Sequence, residues 1–254
     1  TGTPQNYDNV YLLYTGSSDV TVIYNSSIWL GSVEIDGTGS GLITLDISNY
    51  FLPDTVRVGY SGKGRIIQQS GTHDIRYSLM LGGRTGSTGT YHLSGTGKLI
   101  IERWDEIIGN SGTGNFFQSG GTHTVKAGLV IGRYAGSSGV YNLSGNGSLS
   151  VLLGECVACN GTGSFLQSGG THSIGDNLYI GQGSGSSGTY TLQGSGTLVV
   201  NGSEFVGYSG AGKFNQTGGT HTVKSELFIT YNSSSSGIFN LSGGTLNVNT
   251  EIIY

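Results

Sequence analysis

Gln118-Ser119-Gly120-Gly121-Thr122-His123 returns almost unchanged as Gln167-Ser168-Gly169-Gly170-Thr171-His172 and as Gln216-Thr217-Gly218-Gly219-Thr220-His221. An earlier version reads Gln68-Gln69-Ser70-Gly71-Thr72-His73, so the motif recurs at a nearly constant step. Each long unit divides in two. Ile66, Tyr91, Phe116, Tyr141, Phe165, Tyr190, Phe214 and Phe239 open successive halves, again at nearly constant spacing. The elementary repeat is therefore about 25 residues long, within the range of solenoid repeats. Units of that size cannot bury an apolar face alone, so they stack and share one core.

Three short strands fit into each repeat. The first is an aromatic residue followed by x-Leu or x-Gln, as in Tyr141-Asn142-Leu143; the second is like Leu149-Ser150-Val151; the third is like Leu129-Val130-Ile131-Gly132. Apolar residues alternate with a period of two, and glycine supplies the positive-φ corners between strands. A propeller blade needs four strands and roughly 40–50 residues. The double period matches that length, but both halves have the same strand order, which favours a turn of solenoid. The expected fold is all-β: a β-solenoid, or parallel β-helix, of about ten coils of ~25 residues with three short strands each. Its rod would be roughly 45 Å long at the usual strand spacing. Residues 61–254 hold the regular coils, and residues 1–60 are divergent coils, a cap or an assembly segment. Within them, Ile28-Trp29-Leu30-Gly31 reads as a third strand and Val20-Thr21-Val22 as a second.

Composition narrows the class from another side. Of 254 residues 48 are glycine, only 10% are charged, and there are two prolines and two cysteines. Collagen would need glycine at every third position with abundant proline. A flexible Gly/Ser linker would not carry 15 tyrosines and 8 phenylalanines. The formal net charge is −4, with no basic patch to neutralise a phosphate backbone, which argues against nucleic acid as a partner. No apolar run is long enough for a transmembrane segment. Low charge, abundant Ser, Thr and Asn, and a first residue other than Met fit an exported, processed protein.

The two halves differ in their inward slots. One type, A, places Gln, His and Leu on its three strands; the other, B, places Leu, Leu and Glu. The A slots are Gln68 and His73, Gln118 and His123, Gln167 and His172, Gln216 and His221; the B carboxylates are Glu106, Glu155, Glu204 and Glu251. His and Glu together could serve as acid and base or as metal ligands. Repetition favours a structural reading, because a catalytic site occurs once and this set recurs along the rod. Buried polar groups need partners. Stacking A on B puts a His of one coil near a Glu of the next, with Gln as a further donor and acceptor, and such a ladder would fix the register. Outward-facing polar residues are the remaining reading.

The middle residues of the third strands, including Met80, Ile107, Val130, Cys156, Tyr179, Phe205, Phe228 and Ile252, form an apolar stripe if they point outward. A lateral contact or a covering loop would each account for it. Cys156 and Cys159 form one C-x-x-C, too few ligands for a closed metal site, and could close a local disulfide or remain a free pair. Eight N-x-S/T triplets begin at Asn25, Asn142, Asn146, Asn160, Asn201, Asn215, Asn232 and Asn240 and read mostly as turn residues. Phosphate-binding, nucleophile-elbow and calcium-repeat motifs are missing, and the sequence calls for no cofactor and no enzyme activity. On the second strands, Thr-x-Thr pairs occur only at Thr122/Thr124 and Thr220/Thr222, which disfavours an ice-binding array.

The stretch Leu178-Tyr179-Ile180-Gly181, followed by Gly185-Ser186-Ser187-Gly188-Thr189-Tyr190-Thr191-Leu192 and Gly196-Thr197-Leu198, resembles the repeats of bacterial autotransporter and PEP-CTERM-associated surface proteins. The resemblance covers residue 55 onward. It implies an exported β-solenoid at a bacterial cell surface and carries over no catalytic residue. Ile28, Trp29 and Leu30 at one end, and Leu246, Val248, Ile252, Ile253 and Tyr254 at the other, are the expected assembly ends. With Ile28 in an A-type third-strand slot, the chain would start like A and end like B, and copies could join head to tail. The expected function is a structural subunit of an extracellular filament whose partner is itself. The alternative is an adhesin or carbohydrate-binding stalk that stacks surface glycans on Tyr134, Tyr208 and Tyr231.

Overall fold

A computed structural model describes residues 4–253. Every regular element among them is a strand, and the strands wind into one β-solenoid of about ten turns. Each turn contributes one strand to each of three parallel faces. The first face runs from Val20–Tyr24 through Ile43–Ile47, Lys63–Gln68 and Thr88–Leu93, and onward through Thr113–Gln118 to Ser187–Leu192. The second holds Thr72–Ile75, Lys98–Ile101, Thr122–Val125, Ser148–Val151, Thr171–Ile174 and Thr197–Val200. The third begins at Val10–Tyr14, continues through Trp29–Gly37, Tyr50–Val58 and Ser78–Leu81, and reaches Glu204–Val206. In the last two coils the corners are themselves paired, so Ala211–Ile229 and Ser236–Ile253 each pass through all three faces.

The core follows from the alternation. Ile66, Tyr91, Phe116, Tyr141, Phe165, Tyr190 and Phe214 are each fully buried, and from Tyr91 to Phe239 their rings stack at 4.6–5.0 Å with nearly parallel planes. Parallel register at a strand spacing of about 4.8 Å imposes that separation. Fully burying one such side chain contributes roughly 1.5–3 kcal/mol. The third strand ends at a left-handed residue in coil after coil: Gly82, Gly109 and Gly132 (φ 70°, 78° and 70°), then Ala158, Gly181, Gly207 and Thr230. A Cβ at Gly132 would collide with the carbonyl of Thr162 in the next coil, and so glycine prevails there.

The divergent N-terminal segment joins the same stack with shorter steps, and two strand assignments change. Val20–Tyr24 pairs with Ile43–Ile47, which pairs with Lys63–Gln68, so it lies on the first face rather than the second. In Trp29–Gly37 the third-face slots are Val33 and Ile35, paired with Val56 and Val58. Ile28 directly precedes Trp29, whose partner Leu52 follows Phe51, the residue paired with His73. Ile28 thus falls at the second-strand histidine position, not the third-strand leucine position. The expected A-type start fails for this reason. Ile28, Trp29 and Leu30 are also not the first rung: Tyr7 N–H donates to the Trp29 carbonyl at 2.7 Å, and Val10–Tyr14 lies beneath Val33–Gly37.

Candidate functional site

The twelve polar slots form a partial ladder. Gln68, His73, Glu106, Gln118, His123, Glu155, Gln167, His172, Glu204, Gln216 and His221 are all at most 1% exposed. Glu251 is exposed, with no histidine beside it among the described residues. Each paired histidine reaches back to the carboxylate of the preceding coil rather than forward. His123 Nε2 lies 2.9 Å from Glu106, His172 Nε2 2.9 Å from Glu155, and His221 Nε2 2.8 Å from Glu204. The last is a directed hydrogen bond; in the other two the carboxylate lies at the same range but off the N–H axis.

Gln does not touch these pairs. It is joined to the histidine through a tyrosine. Tyr91, Tyr141 and Tyr190, which open B-type coils, each donate a hydroxyl proton to the glutamine of the coil before: Gln68, Gln118 and Gln167, at 2.7, 2.6 and 2.7 Å. The same hydroxyl oxygen lies 2.7, 2.9 and 3.0 Å from Nδ1 of His73, His123 and His172. The glutamine NH2 donates to two main-chain carbonyls, Gly121 and Ser148 in the case of Gln118, which fixes Oε1 as the acceptor facing tyrosine.

Proton directions follow from these contacts. The tyrosine proton is committed to Gln, so the hydroxyl oxygen accepts from His Nδ1–H. With Nδ1 protonated, one proton remains between His Nε2 and the Glu carboxylate. Placed on either atom, it leaves the pair with no net charge. That suits a core in which an isolated ion would cost several kcal/mol. The rings are held flat as well: Phe116 stacks on His123 at 4.8 Å and Phe165 on His172 at 4.7 Å.

Two units are truncated. Val56 occupies the slot where a carboxylate would meet His73, and His73 Nε2 is buried without a partner. Burial, and then the neighbouring His123, push the pKa of His73 well below its usual range. At the other end Phe239 replaces tyrosine, and His221 Nδ1 and Gln216 Oε1 are left without partners. Burial drives the tyrosine hydroxyls of the ladder well above their usual pKa, with the Glu carboxylates adding to the rise. Sequence reading missed the tyrosines. The signal was present, since Tyr91, Tyr141 and Tyr190 alternate with Phe116, Phe165 and Phe214.

Outside, the C-terminal part of the third-strand stripe is covered from its own loops, while Met80 and Ile107 line an open groove. The residue three places on folds back over it: Tyr208 and Tyr231 meet the Phe205 ring edge-on at 5.4 and 5.2 Å and stack on each other at 4.9 Å. Cys156 and Cys159 take the same two positions and are joined by a disulfide. Tyr134 is exposed, with Arg133 over its ring at 5.0 Å. Five of the triplet asparagines take part in side-chain bonds between coils: Asn160 to Arg133, Asn201 to Ile174, Asn232 to Ser209, and Asn240 to Asn215. Among the expected assembly residues, Leu30 is buried, Trp29 is 41% exposed, Leu246 and Val248 are half-buried and Ile253 is 68% exposed, while Tyr254 lies outside the described residues. Among the described residues no cluster of three or more His, Cys, Asp or Glu is placed to hold a metal ion.

The fold and its ladder define a polar-laddered β-solenoid. No protein-family model matches the chain, and neither a curated protein nor a solved structure is significantly similar to it.

Proposed function

We propose that the chain is a non-catalytic structural rod of an extracellular filament or surface fibre, lengthened by stacking coil on coil with copies of itself. The observation that carries this reading is the regularity of the stack: strand pairs with strand in parallel register on all three faces, and the ladder slots from Gln68 to His221 are closed by neighbouring coils. Parallel strand pairing of this kind is also how separate chains add to one another. The resemblance to bacterial surface repeats supports an exported location.

Glu251 modifies the contact. It occupies the ladder position that a histidine of a following coil would meet, and the N-terminal coils contain no histidine to meet it. Joining two copies would enclose an unpaired carboxylate, which is costly. The expected outcome in sedimentation velocity and negative-stain microscopy is concentration-dependent end-to-end rods, lengthened by Glu251→Leu. Single short rods at every concentration, with and without that substitution, would refute the reading.

A further inference from the structure

The outer side of the second face carries an uninterrupted column of hydroxyl side chains: Thr122, Ser148, Thr171, Thr197, Thr220 and Thr245, paired rung to rung in register. Beside it lies a second column in which Thr124, Ser150, Ser173 and Thr222 also bear hydroxyls. Neither column contains a charge over this span. The repeat along the rod is the strand spacing, about 4.8 Å. Thr171 donates to the Ser148 hydroxyl at 3.1 Å, so neighbouring rungs present their oxygens in line. Only two of these rungs are Thr-x-Thr in sequence, which is why the array is invisible without the register.

Toward the N-terminal end the two columns continue through Lys98 and Ile100, and beyond that rung the same face opens into a groove of about 390 Å³ lined by Tyr7, Trp29, Asp74, Arg76, Glu102 and Arg103. Trp29, Leu52 and Asp74 follow one another in the outer column that later becomes the second hydroxyl row. Tyr7 is 64% exposed and Trp29 is 41% exposed, so both rings offer open surface. Tyr7 is fixed beside Trp29 by its main-chain bond to the Trp29 carbonyl. Arg76 pairs with Asp54 and Glu102 with Lys126. The side chains of Asp74 and Arg103 make no hydrogen bond or ion pair among the described residues.

We propose that this face binds an extended, uncharged polysaccharide laid along the rod, with one sugar ring against Trp29 and Tyr7 and the chain's hydroxyls bonded to the Ser/Thr columns. Aromatic faces pack on the C–H side of a pyranose, while a carboxylate and a guanidinium bond its hydroxyls. A polymer suits the length of the track. An uncharged one suits both the neutral columns and an anchor in which Asp74 and Glu102 are balanced by Arg76 and Arg103. The proposal does not depend on assembly, because every residue in it belongs to one rod.

The test is retention of dilute single rods on cellulose, chitin, mannan and β-1,3-glucan, at low and high salt. Binding to at least one polymer, insensitive to salt, is expected. Trp29→Ala should weaken it roughly tenfold, the equivalent of one lost aromatic stack. Trp29→Phe should retain most of it, and Thr171→Lys should weaken it several-fold. Asn215→Lys, on the outer side of the first face, should leave it unchanged. Matching thermal melts for the four variants would separate binding from folding. Failure to bind any of the four polymers overturns the proposal, as does binding that Trp29→Ala and Thr171→Lys leave intact.

Discussion

The central coils and the flanking coils carry the same histidine in different company. His123 and His172 sit in complete relays, each with a carboxylate on Nε2 and a tyrosine hydroxyl on Nδ1. His73 keeps its tyrosine but faces Val56, and His221 keeps Glu204 but faces Phe239. The stack tolerates half a relay in either form. Histidine alone is therefore not the fixed requirement; what must be avoided is a buried carboxylate without its proton partner. Each buried Glu of the ladder appears where a histidine follows, and an apolar side chain, Val56, fills the place where the Glu is missing.

This asymmetry ranks the substitutions. His172→Leu strands Glu155 in the core and should cost about 3–5 kcal/mol in urea unfolding. His73→Leu strands no charge and should cost about 1 kcal/mol, the value of its bond to Tyr91. Comparable losses at the two sites would break the comparison. Next comes Tyr141→Phe, which converts a complete relay into the His221 form and leaves His123 Nδ1 and Gln118 Oε1 unpaired. A loss of about 1–3 kcal/mol is expected, with the change in melting temperature as the readout. The reverse substitution, Phe239→Tyr, should add about 1 kcal/mol by completing the outer unit.

The smallest effects concern pH. Because His73 is held well below the usual imidazole pKa, the unfolded chain takes up a proton that the folded one refuses. Its contribution is therefore complete above about pH 6.5 and falls away below it, by up to about 1.4 kcal/mol per pH unit. The ladder tyrosines act on the other side. Their raised pKa values make stability fall as pH rises above about 10, where unfolded phenols ionise and buried ones do not. Melting curves of His73→Leu should flatten the acid limb and leave the alkaline limb in place.

Much of this was legible in the sequence, because a short, constant period with alternating apolar slots admits few folds. Which slots face inward could be read from partners two positions away, as His123 and Val125 show. The N-terminal coils were harder. Val10 lies beneath Val33, and Val33 beneath Val56, a shorter step than the one from Phe116 to Tyr141. A motif such as Ile28-Trp29-Leu30 therefore matched the wrong face. The tyrosine link was hidden because a tyrosine and a phenylalanine fill the aromatic column equally well, and only the stacking offset brings the hydroxyl to the histidine of the coil before. The hydroxyl rows of the second face were scattered for the same reason: neighbours in space, such as Ser148 and Thr171, are a whole coil apart along the chain.

The central claim is that Glu and His in adjacent coils act as one neutral unit that sets the register. A double-mutant cycle on Glu155 and His172, with each replaced by Leu singly and together, addresses it most directly. The account predicts that His172→Leu is strongly destabilising and that Glu155→Leu added to it restores most of the loss, giving a coupling of about 2–4 kcal/mol in urea unfolding. Additive effects, with the double variant as unstable as the sum of the singles, would contradict it.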